Sequence, residues 1–266
     1  MSIRMEYQTL HVERIDDHIL VVMFDRPEVR NARNTQMALD QMDVMRQLYV
    51  DSSGIRAVIL TARGDKAFSA GGDLKERKTM SETDWHRQHA IFEQNVMALR
   101  DCPVPVIAAV NGVAYAGGLE TALNCDFIYA ADHARFALTE VKLGIMPGCT
   151  GTQMLPAAIG ERRAKELILT AEPFTAQQAL DWGLVNKVVL YADLMDETLA
   201  TARTIAANAP LSVLRAKRAV SAAGQMDKHT GFQFELEAYN RLIGTEDRIE
   251  AINAFNEKRT PVFKGK

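Results

Sequence analysis

Two glutamates, Glu120 and Glu140, sit among apolar and small residues: Leu119, Thr121, Ala122 and Leu123 around the first, and Phe136, Ala137, Leu138 and Val141 around the second. Burial of a carboxylate raises its pKa, which is what a general acid working near neutral pH requires. Two glycine turns accompany them. Phe68-Ser-Ala-Gly-Gly-Asp-Leu74 follows an apolar run around Val58, and Asn111-Gly-Val-Ala-Tyr-Ala-Gly-Gly-Leu-Glu120 follows one around Ile107. A glycine pair lets backbone come close to a ligand, because no Cβ intervenes. Two such turns at the ends of neighbouring strands can aim two N–H groups at one point. Gly117-Gly118 also opens a helix through Leu123, so its N–H groups carry the positive end of the helix dipole. Converging donors of this kind suit a carbonyl oxygen that becomes negative in a transition state. A third stretch, Glu140 to Gly148, continues through Cys149, Thr150 and Gly151. Taken singly, each glutamate would more simply cap a helix or pair with a cation, and each glycine pair would simply permit close packing. The joint pattern is what points to chemistry.

The elements that must position these residues read as alternating strands and helices in the first half. Ile19–Phe24, Ala57–Leu60, Val104–Val110 and Phe127–Ala130 are short apolar runs that predict buried strands. Thr35–Val50 has helical spacing, with Asn34 or Thr35 as N-cap, and Trp85–Leu99 is a second helix. After Gly151 the patterns are helical, at 164–169, 176–180, 194–207, 211–223 and 232–243, interrupted by a strand-like Leu184–Leu190. Pro210 suits the first position of a helix. The expected organisation is an α/β core over residues 1–195 carrying the site, followed by a helical region over 196–266.

No competing constellation stands out: there is no HExxH, Cys/His cluster, GxxxxGK[ST] or GxSxG. Ser69 has no evident base, and His86 and His89 read as surface or packing residues. A dinucleotide enzyme is disfavoured because no GxGxxG follows the first strand. The 266 residues carry a net charge of -3, from 31 basic and 34 acidic side chains, which argues against a general grip on nucleic acid. Cys102, Cys125 and Cys149 form no CxxC and read as reduced thiols, with Cys149 conspicuous inside a glycine-rich loop. The longest early apolar run is too short for a signal sequence or a membrane span, so a cytoplasmic protein without membrane association is expected.

Together these stretches resemble the crotonase (enoyl-CoA hydratase/isomerase) family. The likeness runs from Asp25-Arg-Pro-Glu-Val-Arg-Asn-Ala32 through both glycine turns, Pro105–Gly112 and Pro147-Gly148 to Glu257-Lys-Arg-Thr-Pro-Val-Phe263. The resemblance implies a spiral of repeated ββα units with a helical C-terminal trimerisation region, assembled as a homotrimer or a hexamer of two trimers. It implies an acyl-CoA thioester substrate, coenzyme A entering only as part of that substrate, with no separate cofactor and no metal. It assigns the oxyanion-hole N–H groups to Ala70 and Gly117, the acid/base pair to Glu120 and Glu140, and the water-holding N–H to Gly148. Substrate contacts are expected from Arg30, Ser69, Gly71, Asp73, Leu74, Lys75 and Phe263, with Lys258 or Lys264 as further partners for the CoA phosphates. Both glutamates together imply water addition to a 2-enoyl-CoA, with double-bond isomerisation or a non-catalytic RNA-binding role as alternatives. The sequence departs from the pattern at Ala116, where a third glycine is common, at Cys149-Thr150, and at Arg33, which puts an extra charge near the expected adenine position. The run Gly72-Asp-Leu-Lys-Glu-Arg77 looks most like methylglutaconyl-CoA hydratases.

Overall fold

The computed structural model describes every residue except Met1, Ser2 and Ser53. The strands in chain order are β1 (Leu10–Ile15), β2 (Ile19–Phe24), β3 (Ala57–Ala62), β4 (Ala67–Ser69), β5 (Val106–Val110), β6 (Val113–Tyr115), β7 (Phe127–Ala131), β8 (Arg135–Ala137), β9 (Phe174–Thr175) and β10 (Lys187–Val189). The helices are α1 (Thr35–Val50), α2 (Leu74–Arg77), α3 (Glu82–Arg100), α4 (Gly117–Leu123), α5 (Gly151–Ile159), α6 (Glu161–Thr170), α7 (Ala176–Asp181), α8 (Leu194–Ala206), α9 (Pro210–Ala223), α10 (Lys228–Asn240) and α11 (Glu246–Glu257).

Two sheets share the strands. One has six strands in the order β1-β2-β3-β5-β7-β10, parallel except for the β1–β2 hairpin. The other has four, β4-β6-β8-β9, with only β8–β9 antiparallel. The pairs β3/β4, β5/β6 and β7/β8 each give one strand to each sheet, so the chain advances as a spiral of repeated strand–strand units with helices between them. This is the crotonase-type α/β architecture expected from the sequence.

Strands buried on both faces explain the continuous apolar runs. Successive side chains point to opposite sides. Leu20, Val22, Val58 and Leu60 join the cluster that contains Met37, Val44, Met45 and Leu48 of α1. Ile19, Val21, Ala57 and Ile59 join the one that contains Leu194, Ala202 and Ala206 of α8. Phe24 and Phe68 meet edge to face at 5.2 Å and link the large sheet to β4. Asn34 caps α1 by accepting from Met37 N–H at 2.9 Å, and Pro210 opens α9, both as read from the sequence.

Some boundaries differ. The three-residue strands β4, β6 and β8 are too short to show a period. Leu184 and Val185 are buried, but pairing is confined to Lys187–Val189. α8 packs on the large sheet through Leu194, Ala202 and Ala206. Neither α9 nor α10 holds a buried residue. Among the described residues no helix is long and apolar enough to cross a membrane.

One ion pair fastens α9 to the core. Asp126 Oδ2 accepts from Val106 N–H and from Lys217 Nζ, each at 2.7 Å, and Lys217 also reaches the Val104 carbonyl at 2.8 Å. The two side chains are only 11% (Lys217) and 22% (Asp126) exposed. Asp126→Ala strands the lysine and one β5 N–H, and should cost about 2 kcal/mol in urea unfolding, below the range for fully buried pairs because Asp126 keeps some water. A loss under about 0.5 kcal/mol would mean the pair behaves as an ordinary surface contact.

Candidate active site

A cavity of about 460 Å³ opens where the turns after β4 and β6 meet α3 and the loop around Gly148. Glu120 and Glu140 both line it. Glu120, in the first turn of α4, is 2% exposed. Its Oε1 accepts from Cys149 N–H at 2.8 Å and Gly151 N–H at 2.9 Å, at the N-terminus of α5. Burial pushes its pKa up, while those two N–H groups and the nearby Arg33 and His89 pull it back. Glu140 opens a short 3₁₀ turn through Leu143. Its Oε2 is buried without a hydrogen-bond partner. Burial, then the charge of Glu120, raise its pKa to about 7. Their electrostatic coupling places two carboxylates twenty residues apart in the chain within one field. They differ in that burial and the neighbouring charge outweigh the backbone N–H groups of Thr139 and Glu140 that reach the Glu140 carboxylate, and its Oε2 stays without a partner.

The backbone donors come from the two glycine turns. Gly118 lies so close to the β4 turn that a Cβ on it would stand 2.3 Å from the Ser69 carbonyl oxygen. Gly71, at φ +94°, lies against Ala116 and the Tyr115 carbonyl, and a Cβ on it would be 3.6 Å from Gly117 N. The turns therefore meet as backbone. Gly117, the first residue of α4, has an N–H with no acceptor among the described residues, as expected for a helix start. Ala70 differs from expectation: its N–H is donated to the Arg30 carbonyl at 3.0 Å. The free N–H in this turn belongs to Gly72, two residues on. Gly72 lines the cavity beside Gly117 and has no acceptor among the described residues. The correction has a simple cause. Arg33 pairs with the turn in parallel-bridge fashion, taking up the Gly71 carbonyl and the Asp73 N–H, which leaves the intervening Gly72 N–H pointing away.

Known proteins share this arrangement of chain. The sequence profile described as enoyl-CoA hydratase/isomerase matches residues 14–266. The chain belongs to the enoyl-CoA hydratase/isomerase, or crotonase, family. It is 40% identical to a short-chain-enoyl-CoA hydratase of Clostridium acetobutylicum, over 96% of this chain and 97% of that one. It is 38% identical to an enoyl-CoA isomerase/hydratase of Zymoseptoria tritici, over 93% and 84%. The crystal structure of an enoyl-CoA hydratase from Bacillus anthracis superposes with a TM-score of 0.95 at 41% identity, covering 97% of this chain and all of that one.

Within this crotonase fold the remaining residues singled out from the sequence divide sharply. Gly148 lines the cavity, packed under the His89 ring of α3, and Leu74 lines it as well. Ser69 is fully buried and donates to the Asn31 carbonyl at 2.8 Å, so it braces the turn rather than facing a ligand. Asp73 caps α2 and pairs with Arg26 at 2.9 Å, which holds its carboxyl below the usual range despite burial. Gly71 builds the turn. Lys75 is exposed. Arg30 faces a different cleft, with Lys66, His133 and Tyr191. Phe263 lies in a third, beside Ile19 and Arg203, where Arg56 holds its carbonyl at 2.8 Å. Lys264 lines a fourth, with Asp247 and Glu250.

Several cavity residues were not foreseen. Trp85, His89, Phe92 and Val96 recur at spacings of four, three and four along α3 and form one wall. That stripe is legible as a helix face, but nothing local says that it faces a cavity. Arg77 stacks on Trp85 at 4.5 Å and ties its Nε to Gln88 at 2.8 Å. Arg33 is 5% exposed and lines the cavity, instead of lying out near an adenine. Cys149 also lines it, but burial pushes its thiol up to about 12, so it stays protonated. No group of three potential metal ligands occurs among the described residues.

Ala116, where a third glycine is common, adopts φ +49° and ψ -126° to aim Gly117. Such a conformation is costly for a residue with a Cβ. Ala116→Gly should therefore raise stability by about 1 kcal/mol, while Gly118→Ala should lower it by about 3 kcal/mol through backbone overlap. Urea titrations of both variants check this; equal midpoints for the two would show that the turn contact is slack.

Proposed function

We propose that this chain is an enoyl-CoA hydratase, adding water across the C2–C3 double bond of a 2-enoyl-CoA thioester. The observation that carries the reading is a pair of unlike carboxylates on one cavity, next to two backbone N–H groups without acceptors. The thioester oxygen accepts from Gly72 and Gly117 N–H, which stabilise the enolate oxygen as negative charge builds on it. Glu120 has its Oε1 fixed by two N–H groups that favour the ionised form, so its Oε2 takes a proton from the attacking water. That water's oxygen bonds to C3, and the Gly148 N–H helps to hold it. Glu140, whose Oε2 has no donor and which is near half-protonation at neutral pH, delivers its proton to C2. The proton left on Glu120 then returns to Glu140 through solvent, and the pair is reset. Isomerisation moves a proton between two carbons and needs one carboxylate; the presence of two favours hydration.

Loss of enoyl absorbance with crotonyl-CoA tests the reading. Glu120→Gln and Glu140→Gln should each lower kcat by more than about a hundredfold. Because Glu140 must be protonated, kcat/KM should fall as pH rises through about 7, and this alkaline limb should vanish in the residual activity of Glu140→Gln. Near wild-type hydration by either variant sinks the assignment.

The same reading includes a trimer-based assembly. Phe255 is 83% exposed on α11, and Phe232, Tyr239 and Ile252 are exposed nearby in sequence on α10 and α11. Apolar side chains left uncovered on these helices suit a subunit interface. Sedimentation should report a trimer or hexamer; a monomer at micromolar concentration would remove this part of the proposal.

A further inference from the structure

Arg33 has no role in the acid/base scheme, yet it touches both turns that carry the donors. Its backbone holds the first turn: Arg33 N–H donates to the Gly71 carbonyl at 2.7 Å, and its carbonyl accepts from Asp73 N–H at 3.0 Å. Gly72 lies between these two anchor points. Its side chain holds the second turn: Nη1 donates to Thr121 Oγ1, and that hydroxyl donates to the Gly117 carbonyl at 2.7 Å. Nη2 reaches Gln41 Oε1 at 3.2 Å. The guanidinium lies over the rings of Phe24 at 5.7 Å and Phe92 at 5.9 Å, and forms no ion pair among the described residues.

A buried cation without a carboxylate partner is expensive, and hydrogen bonds to neutral oxygens offset only part of the cost. Such a group earns a place where negative charge arises during the reaction. Arg33 lines the cavity beside Gly117 and Glu120, where an enolate oxygen and an ionised carboxylate would both lie.

We propose that Arg33 is the positioning residue of the oxyanion hole: it sets the two donor turns against each other, and its unpaired charge stabilises the enolate oxygen and the Glu120 carboxylate. This rests on the hydratase reading for the identity of the oxyanion. The groups facing Glu120 are Arg33 ahead of α1, Arg77 on α2, His89 on α3, Glu140, and Cys149 with the α5 N-terminus. Among these Arg33 is the fully buried permanent cation, so its removal should be felt most on Glu120.

The decisive measurement does not need turnover. A cinnamoyl-CoA with a para-dialkylamino group absorbs at longer wavelength when its thioester carbonyl is polarised, and reports the donors directly on binding. Wild type should shift this band to the red. Arg33→Met should lose at least half of the shift, and Arg33→Lys should keep more of it than Met does. Thr121→Val keeps the charge but cuts the link to Gly117, and should also reduce the shift. With crotonyl-CoA, Arg33→Met should lower kcat about thirtyfold with KM changed less than about threefold, a fraction of the loss for removing a donor itself. Loss of the cation makes Glu120 harder to ionise, so the acidic limb of kcat/KM should move up by about one pH unit in Arg33→Met and stay in place in Thr121→Val. Circular dichroism and melting curves confirm which variants fold, and Lys and Val keep the test open if Met does not. A full red shift in folded Arg33→Met, or in both other variants, overturns the proposal. Absence of hydration by wild type with an intact, Arg33-dependent shift would instead overturn the hydratase reading alone.

Discussion

The contact between the turn after β4 and the turn at the start of α4 sets everything else at the site. Gly118 meets the Ser69 carbonyl with no room for a side chain, and Gly71 meets Ala116 in the same way. Because parallel strands β4 and β6 lie side by side, their turns emerge at the same edge. The spiral of strand pairs makes that coincidence a property of topology. Glycine at the contact then brings the two backbones close enough for N–H groups from different turns to face one cavity. The strained Ala116 follows from the same constraint, since the chain must reverse there to start α4 at the right angle.

Electrostatics divides the two glutamates by what surrounds them. Both are buried, so both resist ionisation. Glu120 meets the N-terminus of α5, whose Cys149 and Gly151 N–H groups are fixed before any substrate arrives. Glu140 has an oxygen with no donor at all and feels the charge of Glu120. One residue type thus meets two unlike environments, the condition under which a pair of carboxylates can divide the work of a base and an acid.

The sequence made the large sheet legible because buried parallel strands read as continuous apolar runs. Ile19–Phe24 is the clearest case, and its boundaries agree with β2. The helix started by Gly117 was legible too. The small sheet was hidden, since three residues cannot establish a period and β4, β6 and β8 are held by pairing partners distant in the chain. At the site, the glycine turns pointed to free backbone N–H groups, but in the first turn the N–H without an acceptor among the described residues is that of Gly72, not Ala70. Which N–H is free depends on the Arg33 bridge, a contact across some forty residues that no local pattern encodes. The surroundings of the basic residues were hidden for a related reason. Arg30 and Arg33 are three apart, yet one faces a separate cleft and the other is buried beside α4. Arg30 and Asn31 both have positive φ, near +55°, and this sharp turn sends the two arginines apart.

The parts of the cavity that would meet the acyl chain come from elsewhere in the chain than the parts that would meet the thioester. The donors and Glu120 stand on turns pinned between sheets and on a helix whose residues from Gly118 to Leu123 are all buried. Trp85, Phe92 and Val96 stand on α3, while Leu143, Ile145 and Met146 stand on the loop after Glu140 and are partly exposed. Replacing a side chain on that loop changes cavity shape without touching the backbone contact at Gly118. Replacing one at the turn changes both. A fold arranged in this way can vary its acyl pocket while keeping the polarising machinery fixed, because rigid elements hold the donors and exposed ones the wall. Two guanidinium groups, that of the buried Arg33 and that of the half-buried Arg77, lie on the boundary. Arg77 stacks on the α3 wall, and Arg33 is bonded into the donor turns, so Phe92, within 6 Å of both, is where shape and polarisation meet.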